Sequence, residues 1–381
     1  MSGPLSGIRV VELPAIGPVP FLGMVLADLG AEVIRVQKPK STRNFLEESF
    51  INGPLGRGRR QLELDLRAEG ATEIVLQLIE RADILIEGSR PGVAERLGLG
   101  PDEALARNPR LVYGRLTGWG QDGPLALTAG HDITYLAISG LLNGVGEKGG
   151  PPVPPVNYVA DFAGGSLTLG MGVLAAVLHA RATGQGQVLD GAMFEGAAYL
   201  GTMTRTFAGI GLWSDERGTN LLDGGYPNYR CYETSDEKWV GVGPLEGQFW
   251  KALCQTLGTT PQDAPNPNDP AEHDACTAWL TEVFRTRTRD EWAALFAPLD
   301  ACVAPVLTLD EAPGHPHAVA RGSYVNLEGI TVAAPAPRFS KTPAAIPAVG
   351  DPALDGPTIL AELGYPAETV ADLWDRLSGS A

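Results

Sequence analysis

The sequence has little of what several protein classes require. Its 381 residues include four cysteines at wide spacings, with no Cys-x-x-Cys pair, so we expect free, buried thiols and neither disulfides nor a metal site. Positive charge is also scarce, because 29 Lys and Arg face 45 Asp and Glu, for a net charge of −16. Such a chain has no bulk affinity for nucleic acid or anionic membranes. An anionic ligand would therefore need a local group of basic residues.

Long hydrophobic runs are missing as well. Residues Met1–Leu5 lack the basic and apolar pattern of a secretory signal. The longest apolar helical stretch, from about Ser166 to Ala180, is rich in glycine and too short to cross a bilayer. We therefore expect a cytoplasmic protein without membrane insertion.

The first half of the chain alternates strand and helix patterns. Runs rich in β-branched residues predict strands at 8–13, 32–36, 82–87 and 111–116, and helical periodicity predicts helices at 21–29, 71–81 and 91–97. This alternation is typical of an α/β fold with a parallel, doubly wound sheet.

The second half has a different character. Gln187–Leu212 reads as a long, mostly apolar helical stretch, and a hairpin is expected across 229–242. Amphipathic patterns then predict helices at 247–257, 277–284 and 289–296. We expect a second, smaller region of mixed helix and strand here.

The first turn of the predicted βαβ unit does not match a dinucleotide site. That site needs Gly-x-Gly-x-x-Gly and an acidic residue after the second strand. Here Gly17 is followed by Pro18 and Pro20, which lack the N–H groups that would hold a pyrophosphate, and the second strand ends in Val36–Lys38. The sequence argues against NAD binding.

Basic residues nevertheless gather after the second predicted strand. The segment contains Lys38, Lys40, Arg43, Arg57, Arg59 and Arg60, against only Glu47 and Glu48. Arg and Lys bind phosphate oxygens through charge-assisted hydrogen bonds, so this segment suits a ligand with several phosphates. The alternative is a solvated loop at the rim of the protein.

A series of motifs, in order along nearly the whole chain, resembles the class III CoA-transferase superfamily and, within it, the α-methylacyl-CoA racemases. The motifs are Gly7–Leu13, Asp28–Ile34, Asp83–Gly92, Thr117–Pro124, Gly130–Ile133, Asp161–Gly165, Asn220–Gly225 and Glu246–Phe249. The resemblance implies a Rossmann-like large domain with a parallel sheet, a smaller α+β domain, and an interlocked homodimer with active sites shared between subunits.

On this basis the chain divides into a CoA-binding large domain at 1–186, a helical linker at 187–224, a small domain at 225–315, and a return segment at 316–381 that packs on the large domain. The resemblance implies that CoA enters as part of the substrate, with no separate cofactor. It assigns substrate and CoA contacts to Ile16, Lys38, Gly58, Arg59, Arg60, Gln61, Leu85, Arg90, Gly130, Asp132 and Tyr135. Lys38 stands where an arginine is expected, which loses a bidentate phosphate contact.

The implied reaction is removal and return of the proton next to a thioester carbonyl. Inversion at that carbon needs one group to remove the proton and a second to deliver one to the opposite face. By resemblance these groups are His131 and Asp161, with Asn157 holding the Asp161 carboxyl and Glu246 of the partner subunit orienting His131. Backbone N–H groups around His131 and Asp132 are candidates to bind the enolate oxygen.

Two other functions stay open at this point. A true CoA-transferase would use Asp161 as a nucleophile and would not rely on a histidine at position 131. A non-catalytic CoA-binding protein would keep the basic residues but would have no use for His131, Asp161 and Glu246 together. The acyl group of the substrate is left open.

Overall fold

The computed structural model, which describes residues 3–378, is built around a six-stranded parallel sheet. The strands are β1 (Arg9–Glu12), β2 (Glu32–Gln37), β3 (Arg59–Glu63), β4 (Ile84–Glu87), β5 (Val112–Thr117) and β6 (Gln187–Ala192). Their order is β3-β2-β1-β4-β5-β6, and every neighbouring pair is parallel. This order is that of a doubly wound sheet, which confirms the predicted α/β class.

Helices connect these strands and cover the sheet. They are α1 (Pro18–Asp28), α2 (Phe45–Asn52), α3 (Ala71–Glu80), α4 (Val93–Arg96), α5 (Pro101–Arg107), α6 (Asp132–Ser139), α7 (Thr168–Thr183) and α8 (Met193–Leu200). A π-helix, Tyr158–Leu167, runs directly into α7. One core of apolar residues lies between α3 and the sheet, with Val11, Ile34 and Leu85 each at most 2% exposed.

A separate unit comprises residues 140–155 and 201–320. Its helices are α9 (Thr202–Gly209), α10 (Gly247–Thr256), α11 (His273–Phe284), α12 (Arg289–Phe296) and α13 (Pro316–Arg321), the last of which ends at the border of the unit. Strands β7 (Arg230–Glu233), β8 (Trp239–Val242) and β9 (Val303–Pro305) form an antiparallel sheet. Its core is aromatic, with Phe284 packed between Tyr232 and Trp292.

The C-terminal segment belongs to the first unit again. It contains the hairpin β10 (Tyr324–Leu327) and β11 (Ile330–Ala333), followed by α14 (Pro352–Leu363) and α15 (Ala367–Ser378). Helix α14 lies against the edge strand β3, where Asp355 accepts a hydrogen bond from the Gln61 amide at 3.0 Å.

The observed units differ in detail from the predicted domain bounds. Residues up to Ser139, Val156–Leu200 and the chain from Arg321 form the first unit. The segment 140–155, placed by sequence in the large domain, groups with the second unit. The ends of the predicted bounds, residues 1–2 and 379–381, lie outside the described residues.

One prediction of secondary structure was wrong and one strand was not predicted, both at edges of the parallel sheet. Gln187–Ala192 was expected to be helical, but all six residues pair with β5. Residues 59–63, for which the sequence predicted no element, pair with β2 as a largely buried strand. An edge strand has only one neighbour, so its sequence carries a weaker strand signal than a central one.

The helix that begins at Tyr158 is longer than expected. Tyr158–Thr183 is continuous over 26 residues, and an 18-residue stretch of it has a mean hydropathy of 1.5, so the helix is long and apolar enough to cross a membrane by these criteria alone. It packs against α1, β5 and β6 within the first unit. The cysteines also differ in part from expectation, because Cys254 and Cys276 are buried whereas Cys231 and Cys302 are exposed.

The π-helix and α8 touch backbone to backbone. A Cβ on Gly196 would lie 1.8 Å from the carbonyl oxygen of Gly164, and a Cβ on Gly164 would lie 2.7 Å from the amide nitrogen of Ala197. The contact therefore has no space for a side chain on either glycine. This explains Gly164 in the motif Asp161–Gly165, because a glycine is needed there for close packing of the two helices.

Replacing Gly196 with alanine should destabilise the protein, because the new methyl group can be accommodated only by separating the two helices. The expected cost is about 1–3 kcal/mol, the usual range for an overpacked core. The midpoint of urea unfolding measures it. Gly209→Ala is the matched control, since its Cβ would meet nothing within 4 Å and should leave the midpoint within error. Equal midpoints for both variants would contradict the close contact.

Candidate active site

A cavity of about 280 Å³ opens at the carboxyl ends of the central strands. Its walls come from the turns that follow β1, β4 and β5 and from the loop that leads into α6. The order of the sheet reverses between β1 and β4, and ligands of open α/β sheets bind outside the carboxyl ends at such a position. The topology of the sheet alone therefore marks this cavity as the candidate site.

His131 lines this cavity and immediately precedes α6. Its backbone is fixed by Thr134, whose hydroxyl accepts a hydrogen bond from the His131 amide at 3.0 Å and donates one to the His131 carbonyl at 2.7 Å. The imidazole of His131 is exposed, whereas the backbone of this residue is held by hydrogen bonds at the start of a helix. Sequence reasoning missed Thr134, although its position three residues after His131 is the spacing of a helix cap.

Asp161 lies in the first turn of the π-helix and is half-buried. Asn157 donates a hydrogen bond to its carboxylate at 3.2 Å, as predicted for this pair. Burial raises the pKa of Asp161; the Asn157 hydrogen bond lowers it, the charge of Asp132 raises it, and the charge of His131 lowers it, with a net shift upward. A raised pKa brings the carboxyl closer to the range in which it can both accept and donate a proton.

Asp132 joins the two parts of the site. Its Oδ2 accepts hydrogen bonds from the amides of Ala160 and Asp161, at 2.7 and 2.8 Å. The two aspartates are 29 residues apart in sequence, and this contact brings the segment that starts at His131 to the segment that carries Asp161. The electrostatic effect of His131 on Asp161 follows from the same proximity.

Tyr135 forms the buried floor beside His131. Its ring meets Trp119 edge to face at 4.8 Å, and a Cβ at Gly118 or Gly130 would overlap the ring. Burial, followed by the charge of Asp161, raises the pKa of Tyr135 to about 12, so the phenol stays neutral near pH 7. Gly130 thus has a clear structural role, since it permits close approach of the tyrosine.

Of the other residues predicted to contact CoA, Ile16 and Arg90 line the cavity. Ile16 is 47% exposed, and Arg90 is exposed at the mouth. Among the basic residues predicted to contact CoA, Arg90 therefore lies where an anionic ligand in this cavity could reach it.

The arginines of the basic cluster are neutralised in three dimensions. Each of them pairs with a carboxylate: Arg43 with Glu48 and Glu63, Arg57 with Asp28, Arg59 with Glu12, and Arg60 with Glu32 and Glu362. Lys38 pairs with Glu47 at 2.7 Å but keeps a side chain that is 53% exposed, and Lys40 is exposed. Most of the excess of positive charge in this segment is thus cancelled by carboxylates from other parts of the chain.

Four of the predicted CoA contacts have structural roles instead. The Arg59 side chain is fully buried against Glu12, and Gln61 bonds to Gln37 and to the Gly350 carbonyl. Leu85 is a fully buried residue of the core. A Cβ at Gly58 would overlap Ala27 and Pro347, which makes this glycine a packing position. The geometry does not support phosphate contacts for the side chains of Arg59, Gln61 and Leu85, because a ligand could not reach them without opening the core. Gly58 is half-buried, and its amide already donates a hydrogen bond to the Ala348 carbonyl at 2.8 Å.

Glu246 lies in the second unit, at the N-cap position of α10. It is exposed, and its side chain accepts no capping hydrogen bond from any described residue. The carboxylate is therefore available to a group outside its own helix, and the simpler role of a helix cap does not apply.

Two further features of the molecule bear on the chemistry. A larger cavity, of about 1120 Å³, lies in the second unit and contains none of the predicted site residues, so size alone does not identify the site. Across residues 3–378, no group of three or more His, Cys, Asp or Glu side chains is arranged to hold a metal ion.

Comparison with known proteins agrees with this arrangement. The family model described as CoA-transferase family III matches residues 5–358. Proteins named alpha-methylacyl-CoA racemase from Mus musculus and Homo sapiens are 42% and 41% identical to the chain, and each match covers 97% of this chain and 96% of the relative. A crystal structure of a CAIB/BAIF family protein from Brucella suis has a TM-score of 0.82 at 26% identity, over 95% of this chain and 100% of that one. The chain belongs to CoA-transferase family III.

Proposed function

We propose that this chain is an isomerase that interconverts the two epimers of 2-methylacyl-CoA thioesters by proton transfer at C2. The observation that carries the proposal is the pairing of His131 with Asp161, which Asp132 brings together beside the cavity. The names of the mouse and human relatives support the same reaction.

The two groups divide the chemistry. One of them removes the C2 proton, and the electron pair of the broken C–H bond moves into the thioester as an enolate. The other delivers a proton to the opposite face of C2 as the enolate collapses. Because His131 and Asp161 are different acids, each can be the base for one epimer and the acid for the other.

The enolate oxygen needs hydrogen-bond donors, and the start of α6 offers them. The His131 amide is already engaged by Thr134, so this earlier candidate is unsuitable. The amides of Asp132 and Ile133, at the first two positions of the helix, donate to no acceptor in the part of the chain that the structure describes. A helix N-terminus also favours negative charge.

CoA would enter as part of the substrate, with Arg90 at the cavity mouth as a phosphate contact, and we propose no separate cofactor. We also propose a cytoplasmic enzyme that does not insert into membranes. In this interpretation the apolar helix Tyr158–Thr183 is a structural element of the first unit, since it packs on the sheet and carries Asp161 at its start.

A homodimer with shared active sites is part of the proposal. Helix α7 exposes Met171 and Leu178, which are 64% and 71% exposed, and these apolar side chains suit a subunit interface. The uncapped carboxylate of Glu246 would reach the imidazole of the partner's His131 and fix its tautomer. Each site would then need residues from both chains.

The reaction predicts isotope exchange at C2. In D2O, either epimer of a 2-methylacyl-CoA should gain deuterium at C2, as measured by mass spectrometry. His131→Ala should slow this by about 10²–10⁴-fold, the usual contribution of a general acid–base. His317→Ala, an exposed histidine on α13, should not. Absence of exchange together with transfer of CoA to a free acid, undiminished in His131→Ala, would show a CoA-transferase instead.

Replacing Arg90 should affect CoA binding, whereas replacing Arg59 should affect the stability of the fold. Arg90→Ala should weaken CoA binding, measured by calorimetry, without changing the urea midpoint, since this side chain is exposed. Arg59→Ala should lower the free energy of unfolding by about 3–5 kcal/mol, because it removes a fully buried side chain that pairs with Glu12 and donates hydrogen bonds to the carbonyls of Pro20 and Leu55, although Arg35 still pairs with Glu12. Loss of CoA affinity in a stably folded Arg59→Ala protein would restore its predicted phosphate contact.

Shared sites can be tested with hybrid dimers. His131→Ala and Glu246→Ala chains, co-expressed with different tags and purified as a hybrid, should recover about half of the wild-type exchange rate. The reason is that one of the two sites then holds both native residues, as simple counting of shared sites requires. If each site were built from one chain, both would carry a mutation and the hybrid would show no recovery.

A further inference from the structure

We propose that the Asp132 side chain is a positioning residue for Asp161, which it holds by capping the first turn of the π-helix from a neighbouring helix. This inference rests on the proposed function, in which Asp161 exchanges a proton with C2. It assigns to the side chain of Asp132 a role distinct from that of its backbone amide.

The geometry is that of a helix cap supplied from outside the helix. The first amides of a helix have no partner within it, and a carboxylate is well suited to accept their hydrogen bonds. Asp132 Oδ2 accepts from two consecutive amides, of Ala160 and Asp161, at 2.7 and 2.8 Å. The backbone of the reacting aspartate is therefore attached directly to the residue that follows His131.

The other oxygen of this carboxylate has no compensating contact within the described part of the chain. Asp132 is 4% exposed, and its Oδ1 is buried without a hydrogen-bond partner among residues 3–378. An unpartnered acceptor in the interior costs free energy. An asparagine could accept the same two N–H groups without a buried charge, so capping alone does not explain why an aspartate is present.

The group that feels this charge is Asp161. The charged and titratable neighbours that act on Asp161 are Asp132 and His131, which lie at the start of α6, and Tyr135 on the same helix responds to its charge. On its own segment, Asn157 donates a hydrogen bond to its carboxylate. Asp132 raises the pKa of Asp161, whereas Asn157 lowers it. These two neighbours therefore shift the pKa of the Asp161 carboxyl in opposite directions.

The pH profile separates the two roles of Asp132. Where Asp161 is the base, kcat/KM falls as pH drops through its pKa. Asp132→Asn keeps an acceptor but removes the charge, so this acid limb should move to lower pH while the plateau of C2 exchange stays within about tenfold of wild type. Asn157→Ala is the matched control and should move the limb to higher pH, because it removes the hydrogen bond that stabilises the carboxylate.

Asp132→Ala removes the cap as well as the charge. C2 exchange should fall by about 100-fold, as expected for a small misplacement of a reacting group. Amide hydrogen exchange of the intact protein, followed in peptides that span 158–167, should become faster there and stay unchanged in α3. This measurement does not depend on catalysis.

The outcomes distinguish the two levels of the proposal. Unchanged protection in 158–167 for Asp132→Ala would overturn the cap, and an unshifted acid limb for Asp132→Asn would overturn the electrostatic role. A wild-type protein without C2 exchange would refute the proposed function, yet the amide exchange would still decide whether Asp132 holds the helix. If Asp132→Ala fails to fold, the wild-type protein decides the cap: slow exchange of the Ala160 and Asp161 amides supports it, and exchange as fast as that of solvent-exposed amides would overturn it.

Discussion

The site depends on one carboxylate oxygen. Oδ2 of Asp132 holds two consecutive amides at the start of the π-helix, and this contact fixes where Asp161 lies relative to His131. Thr134 fixes the backbone of His131 on the other side. The proposed acid–base pair is thus positioned by hydrogen bonds between side chains and the backbone at the starts of two helices, which are stiffer supports than a loop.

The charges of the first unit follow a second constraint. Arginines of the sequence cluster are balanced by carboxylates from distant parts of the chain, such as Glu12 on β1 and Glu362 on α14. A buried cation is tolerated only when it is paired, so these residues stabilise the edge of the sheet and are not free to bind phosphate. The exposed Arg90, which lines the cavity, is available to an anionic ligand, and the side chains of Lys38 and Lys40 are also exposed.

The sequence predicted the parts of the structure that local patterns determine. Central strands such as β1 and β4 are buried on both faces, which makes their apolar runs unambiguous. The edge strands β3 and β6 were missed because their residues are partly polar, and the ion pairs of Arg59 and Arg60 could not be seen because their partners are distant in sequence. His131, Asp161 and Asn157 were predicted through the family resemblance, whereas the contact of the Asp132 side chain with residues 160 and 161 could not be predicted, because the partners are distant in sequence.

The segment that connects His131 to Asp161 along the chain can vary in length without moving either residue. Residues 140–155 leave the first unit and group with the second, yet the chain returns so that Ala160 and Asp161 meet Asp132. Because the contact with Asp132, and not the length of the connection, brings Asp161 to the start of α6, insertions or deletions within residues 140–155 need not move Asp161 relative to His131. Residues 140–155, and the surface that they form, could therefore change during evolution without affecting the proposed proton transfer.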